Sequence, residues 1–358
     1  MVLFLSNDQI RDLLSWSETL KICEDILYER VGGTAWFSPR QRFVLQSNMI
    51  LLFLPGGAAK MNFAGTRIYS QQPQHLMSDQ TANALNAHSV NVVFDMTTAE
   101  ILAVTAGEWI NTLRTVGIAA VGSKYIAKKQ SKKIGLFGSS RLAFGSLMSL
   151  NEIYDVELVK VYSRNKQHLD SFCSTMSQIL EMPVIAMGSP NEVVKGSDII
   201  TTATSSIEPV FDGRLLEAGT HVNCIGGYVQ GGGRELDENA MSRFDVLAVL
   251  NKEHTMKGGA QDEKPNYNFK IAVEKGVISW DDVVEVSDII SEKNMGRRSD
   301  DDITLFDSRG MGAFDVGLAY HAYLLAKERG VGQELNWSSS SGRHWFQDAM
   351  NREKLARS

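Results

Sequence analysis

The sequence predicts an α/β protein made of an N-terminal α+β region followed by a doubly wound parallel sheet. Over roughly the first 110 residues, strand candidates with apolar side chains at every second position follow two helical stretches. From residue 134 onward, short apolar strands alternate with helical stretches, which is the pattern of βαβ units. The length of 358 residues is enough for two domains of ~150 residues each.

Composition excludes several classes of protein. The 36 Lys and Arg are scattered and are outnumbered by 42 Asp and Glu, which argues against binding nucleic acid through its phosphates. Cys23, Cys173 and Cys224 are far apart and form neither a CxxC pair nor a metal spacing, as is typical of a reducing cytosol. The N-terminal apolar run is too short for a secretory signal, and no stretch is long enough to span a bilayer. We therefore expect a cytoplasmic protein without a metal, a membrane or a nucleic-acid partner.

The N-terminal region begins with two predicted helices, one capped by Ser6 and ending near Leu14, the other over residues 20–28. Period-two patterns then predict strands of an antiparallel sheet, the last two joined as a hairpin through residues 97–100. These strands cover residues 40–45, 48–54, 66–69, 90–94 and 101–104.

A long helix over residues 107–129, with Arg114 near its start, separates this sheet from the second one. The strands predicted for the parallel sheet are residues 134–137, 156–162, 183–187, 198–203, 221–225 and 246–250. A last helix over residues 311–329 is expected to pack back on the N-terminal region.

A glycine turn follows the first strand of the parallel sheet. Gly138, Ser140 and Ala143 occupy the three small-residue places of a dinucleotide-binding turn, with Ser139 and Arg141 beside them. A pyrophosphate would lie on the following helix N-terminus, where free N–H groups favour an anion. Ser140 departs from the usual glycine, and a βα turn that binds nothing is the alternative.

The end of the next strand, about 25 residues on, bears on which dinucleotide this would be. It reads Ser163-Arg164-Asn165 where an NAD site usually offers an acidic residue for the ribose hydroxyls. Arg164 is able to pair with a 2′-phosphate, and its neighbours add hydrogen bonds. The sequence therefore favours NADP(H) over NAD(H), and a solvated arginine at a strand end is the alternative.

Several stretches in a fixed order make the chain resemble the ornithine cyclodeaminase/mu-crystallin family. They are residues 112–115 (TLRT) through Lys124-Tyr125, the glycine turn 133–143, 198–206 (DIITTATSS), 219–227 (GTHVNCIGG), 234–237 (RELD) and 302–308 (DITLFDS). The resemblance implies a Rossmann-type nucleotide-binding domain, residues 116–315, and a substrate-binding and dimerisation domain, residues 1–115 and 316–358. It also implies a homodimer formed through the N-terminal sheet, and a small imino, oxo or amino acid as substrate.

The resemblance further implies that cations of the N-terminal domain hold the substrate carboxylate. Arg114 matches the arginine that opens the family's long helix, whereas Arg40 and Arg42 both lie around an early arginine, and the choice between them stays open. Asp315 matches an acidic position that helps to order the last helix. The cofactor would also meet Thr115 and the loops after the fourth and fifth strands, although Thr204 and Ser205 would equally serve as a helix cap. These loop residues are Ala203, Thr204, Ser205, Gly226 and Gly227.

Two departures from the family bear on chemistry. Arg67 stands where the family commonly has a lysine, and it keeps the charge but is a poor proton donor; Lys60 is a less direct substitute. Tyr228 follows Gly226-Gly227, where cyclodeaminases carry an acidic residue. A tyrosine with a pKa near ~10 does not readily replace a carboxylate as a base, so cyclodeamination is disfavoured. Tyr228 would donate a hydrogen bond or a proton in a reduction, or line the pocket.

These observations together predict an NAD(P)H-dependent reductase of a carboxylate-bearing imine, with Arg67 and Tyr228 as candidate catalytic residues. A lyase that uses NAD⁺ to release ammonia from an amino acid is the second hypothesis. A nucleotide-binding protein without turnover is the third.

Overall fold

The computed structural model describes residues 1–46, 49–71, 88–226, 233–258 and 265–336, together with 350, 354 and 355. In this part of the chain sixteen strands form two sheets of eight. The strands of the N-terminal sheet are β1 (Val2–Leu5), β2 (Ala35–Phe37), β3 (Gln41–Val44), β4 (Ile50–Ala58), β5 (Phe63–Gln71), β6 (Ser89–Asp95), β7 (Ile101–Ala106) and β16 (Gln333–Leu335). Those of the second sheet are β8 (Lys133–Phe137), β9 (Leu158–Tyr162), β10 (Val184–Ala186), β11 (Ile199–Thr202), β12 (His221–Cys224), β13 (Val246–Val249), β14 (Val283–Glu285) and β15 (Thr304–Asp307).

The helices are named in chain order. They are α1 (Asn7–Leu13), α2 (Trp16–Val31), α3 (Glu108–Ile126), α4 (Arg141–Asn151), α5 (Lys166–Leu180), α6 (Pro190–Val194), α7 (Glu238–Met241), α8 (Lys252–Lys257), α9 (Tyr267–Glu274), α10 (Val286–Ile290) and α11 (Gly312–Arg329). None of the described helices is long and apolar enough to cross a membrane.

The N-terminal sheet is mixed, with strand order β16-β1-β7-β6-β5-β4-β2 and β3 paired to β4. The predicted hairpin is confirmed as the antiparallel pair β6 and β7. The five predicted strands pair antiparallel as expected, but the sheet as a whole is mixed because β1, which was not predicted, pairs parallel to β7. The sequence did not predict β1 or β16, which pair with each other although they lie more than 300 residues apart along the chain.

The second sheet is parallel throughout, in the order β10-β9-β8-β11-β12-β15-β13-β14. The sequence predicted its six strands β8 to β13 and missed β14 and β15. All four residues of β15 are buried, as are those of β11, β12 and β13, which were predicted, so burial does not account for the omission. The chain changes direction of winding between the neighbours β8 and β11, and ligands bind outside the carboxyl ends of the strands at such a switch point.

Serine caps define the two N-terminal helices. The Ser6 hydroxyl accepts from the Gln9 N–H at 3.3 Å while the Gln9 side chain accepts from the Ser6 N–H at 3.0 Å, a capping box that confirms the predicted start. The second helix is longer than predicted, since Ser15 caps it in the same way. The long helix α3 is shorter than predicted at its C-terminus, because the backbone becomes extended at Ala127.

The helices α3 and α11 pack between the two sheets. The core that contains Ile118 and Val121 of α3 also contains Phe306 of β15 and Phe314 of α11. As predicted, α11 packs on the N-terminal sheet; the approach is so close that a Cβ on Gly56 would lie 2.3 Å from the Ala313 nitrogen. The loop after β15, at the carboxyl edge of the parallel sheet, contacts Arg40 of the N-terminal region.

Candidate active site

Three arginines from separate elements meet in the interior. Arg67 lies in β5, Arg114 in the second turn of α3 and Arg40 just before β3, with exposed fractions of only 4%, 8% and 6%. Asp315, in the first turn of α11, is fully buried beside them. We call these four residues together with Asn111 of α3 the arginine cluster.

Two acceptors bridge the guanidinium groups. Asp315 Oδ1 accepts from Arg67 Nη1 at 3.3 Å and from Arg114 Nε at 3.4 Å. Asn111 Oδ1 accepts from Arg67 Nη1 at 2.5 Å and from Arg114 Nη2 at 2.6 Å. The two arginines are thereby fixed relative to each other, and the position of the last helix is coupled to both.

Positive charge exceeds negative charge among Arg67, Arg114 and Asp315. The two guanidinium groups share the one carboxylate, and all three side chains are buried. Burial lowers the pKa of Arg114; Asp315 raises it, and the charges of Arg67 and Arg40 lower it further. An uncompensated buried charge is costly, so an anionic ligand such as a carboxylate would be strongly favoured here.

The cluster lies at the carboxyl edge of the parallel sheet. Arg40 Nη2 donates to the carbonyl oxygens of Arg309 and Gly310, the latter at 3.4 Å, in the loop that follows β15. Gly310 has φ +59°, and a Cβ there would lie 1.8 Å from Arg114 Nη1, so the loop accommodates the guanidinium only with glycine. These contacts place the cluster where the cofactor loops of the parallel sheet also end.

The structure separates the other two cationic candidates from the cluster. Arg42 is half-buried in β3 opposite Leu52, whereas Arg40 lies buried against the loop after β15. Lys60 is exposed, and its amine would lie 3.7 Å from a Cβ placed on Gly32, at the end of α2. Arg40 rather than Arg42 therefore joins Arg67 and Arg114 in the interior.

The glycine turn has the backbone that a dinucleotide site requires. Gly138 has φ +114°, and a Cβ there would lie 2.7 Å from the Ala203 carbonyl oxygen, so only glycine fits. Ala143 is fully buried in the core between α4 and the sheet, as expected for the third small residue. The loops after β8 and β11 thus touch at the switch point.

The N-terminus of α4 is open to a ligand. Ser140 is exposed, has an extended backbone (φ −101°, ψ −176°) and gives no side-chain cap to the helix. The departure from glycine is therefore tolerated, because this backbone suits any residue. The adjoining Arg141 is exposed in part. Burial of the rest of its side chain lowers the pKa of Arg141, the charge of Glu108 raises it, and the charge of Arg67 lowers it. The residues present fit a bound diphosphate.

The end of β9 lies beside this turn. Ser139 Oγ donates to Ser163 Oγ at 3.1 Å, which joins the first two loops of the parallel sheet. Arg164 is exposed and makes no ion pair with the described residues. Asn165 is the N-cap of α5, where its side chain accepts from the His168 N–H at 3.0 Å. Arg164 is therefore available to a ligand, whereas the Asn165 oxygen is already engaged.

A buried carboxylate holds the loops after β11 and β12. Glu235 Oε1 accepts from the Thr204 N–H at 2.8 Å and the Thr204 hydroxyl at 2.6 Å; Glu235 Oε2 accepts from Thr202 Oγ1 at 2.7 Å and the Gly226 N–H at 3.0 Å. Burial raises the pKa of Glu235, and the hydrogen bonds from Thr204 and Thr202 lower it. Glu235 thus joins the candidate cofactor residues Thr204 and Gly226, and Ala203 directly precedes Thr204.

Of the remaining candidate cofactor and catalytic residues, one is buried, one is exposed and two are not described by the structure. Thr115 is buried in α3, and its hydroxyl donates to the Asn111 carbonyl oxygen at 2.6 Å. Ser205 is exposed after β11. Gly227 and Tyr228 lie outside the described residues.

Comparison with known proteins decides the family. The family model for ornithine cyclodeaminase/mu-crystallin matches residues 2–329 of this chain. The chain belongs to the ornithine cyclodeaminase/mu-crystallin family. The resemblance drawn from the sequence motifs is confirmed.

Named members of this family are similar to the chain over nearly its whole length. A Delta(1)-pyrroline-2-carboxylate reductase from Bacillus cereus is 26% identical, covering 94% of this chain and all of the relative. An alanine dehydrogenase from Archaeoglobus fulgidus is 27% identical, covering 94% and 98%. The structure of Thermococcus litoralis Delta(1)-pyrroline-2-carboxylate reductase in complex with NADH and L-proline gives a TM-score of 0.84 at 28% identity, covering 93% of this chain and all of that one. These likenesses confirm the predicted α/β fold with its parallel Rossmann-type sheet.

The sequence did not predict two residues that hold the site together, Asn111 and Glu235. Asn111 carried no signal, because a lone asparagine in a helix is usually a surface residue. Glu235 lay within the quoted stretch 234–237, yet its charge gave no reason to place it in the interior. The position of Glu235, between three glycines and a short helix, was the one feature of the sequence that would have drawn attention to it.

Proposed function

We propose that this chain is an NAD(P)H-dependent reductase that delivers hydride to the C=N carbon of a carboxylate-bearing imine. The observation that carries the proposal is the cationic arginine cluster beside the glycine turn, at the carboxyl edge of the parallel sheet. The cluster supplies a site for a carboxylate, and the turn with its open helix N-terminus supplies one for a dinucleotide. The names of the relatives, which include pyrroline-2-carboxylate reductase and iminosuccinate reductase, support this reaction class.

The described residues of the site would bind and orient the reactants. Arg114, Arg67 and Arg40 would hold the carboxylate through charge-assisted hydrogen bonds and so fix the adjacent C=N carbon. Gly138 and the first turn of α4 would hold the diphosphate. When bound, the reduced nicotinamide supplies the hydride.

The arginine at position 67 affects how the imine nitrogen is protonated. An arginine keeps its proton near neutral pH, so Arg67 stabilises the substrate anion without protonating the imine nitrogen. The nitrogen must then be protonated before the substrate binds or by another group, for which Tyr228 is the remaining candidate. An iminium is attacked by hydride more readily than a neutral imine, because its carbon is more electrophilic.

The assay that tests this function follows cofactor and product together. We expect the purified protein to consume NADPH or NADH with 1-pyrroline-2-carboxylate and to form proline in equal amount. Release of ammonia from ornithine without net change in nicotinamide absorbance would instead identify a lyase. Binding of the cofactor without turnover on a panel of imino acids would leave only the non-catalytic hypothesis.

NADP(H) is the cofactor that we propose this chain prefers. Arg164 is exposed at the end of β9 and free of ion pairs in the described chain, as a 2′-phosphate ligand would be. We expect Arg164→Ser to weaken NADPH binding by about tenfold or more, since a hydrogen bond to a charged group contributes about 1.5–3 kcal/mol. NADH binding, measured by the same fluorescence titration, is the internal control. Equal weakening of both cofactors would contradict the assignment.

We propose also that the chain forms a homodimer through the outer face of its N-terminal sheet. The register aligns apolar residues across this face, and they are exposed or half-exposed. They form the rows Phe4-Val104-Val92, Val90-Ile68-Phe53 and Leu51-Phe43. No described element covers them, and a face of this kind on a folded protein usually marks an interface. The similar archaeal alanine dehydrogenase is described as a dimer, 25% identical with a TM-score of 0.82.

A single lysine at the centre of this face should abolish the dimer. We expect Val92→Lys to elute as a monomer in light-scattering chromatography, because a charge would be buried without a partner. Ile179→Lys on α5, a residue 48% exposed, is the matched control and should leave the mass unchanged. A wild-type protein that is monomeric, or a Val92→Lys variant that stays dimeric, would refute this interface.

We propose also that the chain has two domains, a substrate-binding and dimerisation domain of residues 1–115 and 316–358 and a nucleotide-binding domain of residues 116–315. This division is supported by the packing of α11 on β4 and by the separation of the two sheets at α3.

A further inference from the structure

Asn111 is a member of the arginine cluster to which the proposed function has given no role. It lies in the first turn of α3, three residues before Arg114, and it is half-buried whereas the arginines are buried. It is therefore the most accessible member of the cluster.

The orientation of its amide is fixed by charge. The two guanidinium N–H groups point at one atom of this amide, at 2.5 and 2.6 Å, and only the oxygen can accept them. The reversed amide would place an NH₂ donor against two cationic donors. The oxygen therefore faces the arginines, and the Nδ2 group faces away from them.

The Nδ2 group has two N–H donors to offer. In the described parts of the chain no acceptor takes a hydrogen bond from it, although the Asn111 oxygen is used twice. Two neighbouring guanidinium groups polarise the amide and make its N–H groups better donors. Such a donor beside a cationic site is suited to a negatively charged oxygen.

We propose that Asn111 is a substrate-binding residue, whose Nδ2 donates a hydrogen bond to the substrate carboxylate while its Oδ1 positions Arg67 and Arg114. This inference rests on the proposed function, because it takes the ligand of the cluster to be the carboxylate of the imino acid. It assigns specificity for a carboxylate to a neutral side chain as well as to the arginines.

Two substitutions separate the two ends of the amide. Asn111→Asp keeps an oxygen for both arginines but replaces the donor with a negative charge, whereas Asn111→Leu removes both ends without adding charge. If Nδ2 binds the carboxylate, KM for 1-pyrroline-2-carboxylate should rise about tenfold in Asn111→Leu and further in Asn111→Asp. The change should fall mainly on KM, and the NADPH dissociation constant should stay within about threefold. Asn191→Asp, on the exposed side of α6, is the control for an added charge.

A binding measurement keeps the test independent of turnover. In calorimetric titrations with L-proline in the presence of the cofactor, the affinity of the variants should fall in the same order as their KM rises. If Asn111→Asp binds L-proline as well as the wild type and only Asn111→Leu loses affinity, Asn111 acts through the arginines alone and the inference is wrong. If the wild-type protein binds L-proline without reducing any imine, the reductase function fails while the ranking of the variants still decides the role of Asn111. If the wild type does not bind L-proline, both proposals are contradicted.

Discussion

Arg114→Lys should raise KM for the imino acid about 10- to 100-fold while the cofactor dissociation constant changes by less than about threefold. The lysine keeps the positive charge but cannot offer the fork of N–H groups that reaches Asp315, Asn111 and a ligand together. A hydrogen bond to a charged group contributes about 1.5–3 kcal/mol, which corresponds to that range. Steady-state kinetics at saturating NADPH would measure the effect.

Arg42→Lys is the matched control for this change. Arg42 lies in β3, away from the cluster, and we expect its replacement to leave KM unchanged. Circular dichroism would verify that the Arg114 variant is folded, because its side chain is buried. An unchanged KM in folded Arg114→Lys would remove this residue from the site.

Gly138→Ala should weaken cofactor binding by more than about tenfold. The added Cβ would lie 2.7 Å from the Ala203 carbonyl oxygen, and φ +114° is strained for alanine. The loops after β8 and β11 would have to separate at the place where the diphosphate is expected. Nicotinamide fluorescence titration of the variant with NADPH and NADH would measure the loss.

Gly196→Ala separates backbone strain from the contact. Gly196 also has a positive φ, +64°, but a Cβ there meets nothing within 4 Å, and the residue is remote from the glycine turn. We expect it to lose some stability and to keep its affinity for the cofactor. If both alanine variants bind NADPH like the wild type, the glycine turn does not hold the dinucleotide.

Local patterns were enough to predict most of the fold. The caps of α1, the hairpin β6-β7 and the glycine turn depend on residues close in sequence, so their signals are readable without the structure. The strands β1 and β16 pair residues 2–4 with residues 333–335, and a pairing between such distant segments leaves no mark in a local pattern.

The site was predictable in its charges but not in its contacts. Arg67 and Arg114 were predicted, whereas Arg40 and Arg42 stand two apart and a strand would place both on one face. The structure separates them because β3 begins at Gln41, so that Arg40 is outside the strand and turns inward. Asn111 and Glu235 contact residues up to 44 positions away, and such contacts leave no mark in a local pattern.

The most direct test of the central claim compares two substrates that differ only in the carboxylate. With saturating NADPH, the wild-type protein should reduce 1-pyrroline-2-carboxylate, and its kcat/KM for 1-pyrroline, which lacks the carboxylate, should be lower by at least about 100-fold. This ratio follows from the loss of the charge-assisted hydrogen bonds that a carboxylate would accept from Arg67 and Arg114, which share the single carboxylate of Asp315. Equal rates on the two imines would show that the arginine cluster does not bind the substrate and would contradict the account.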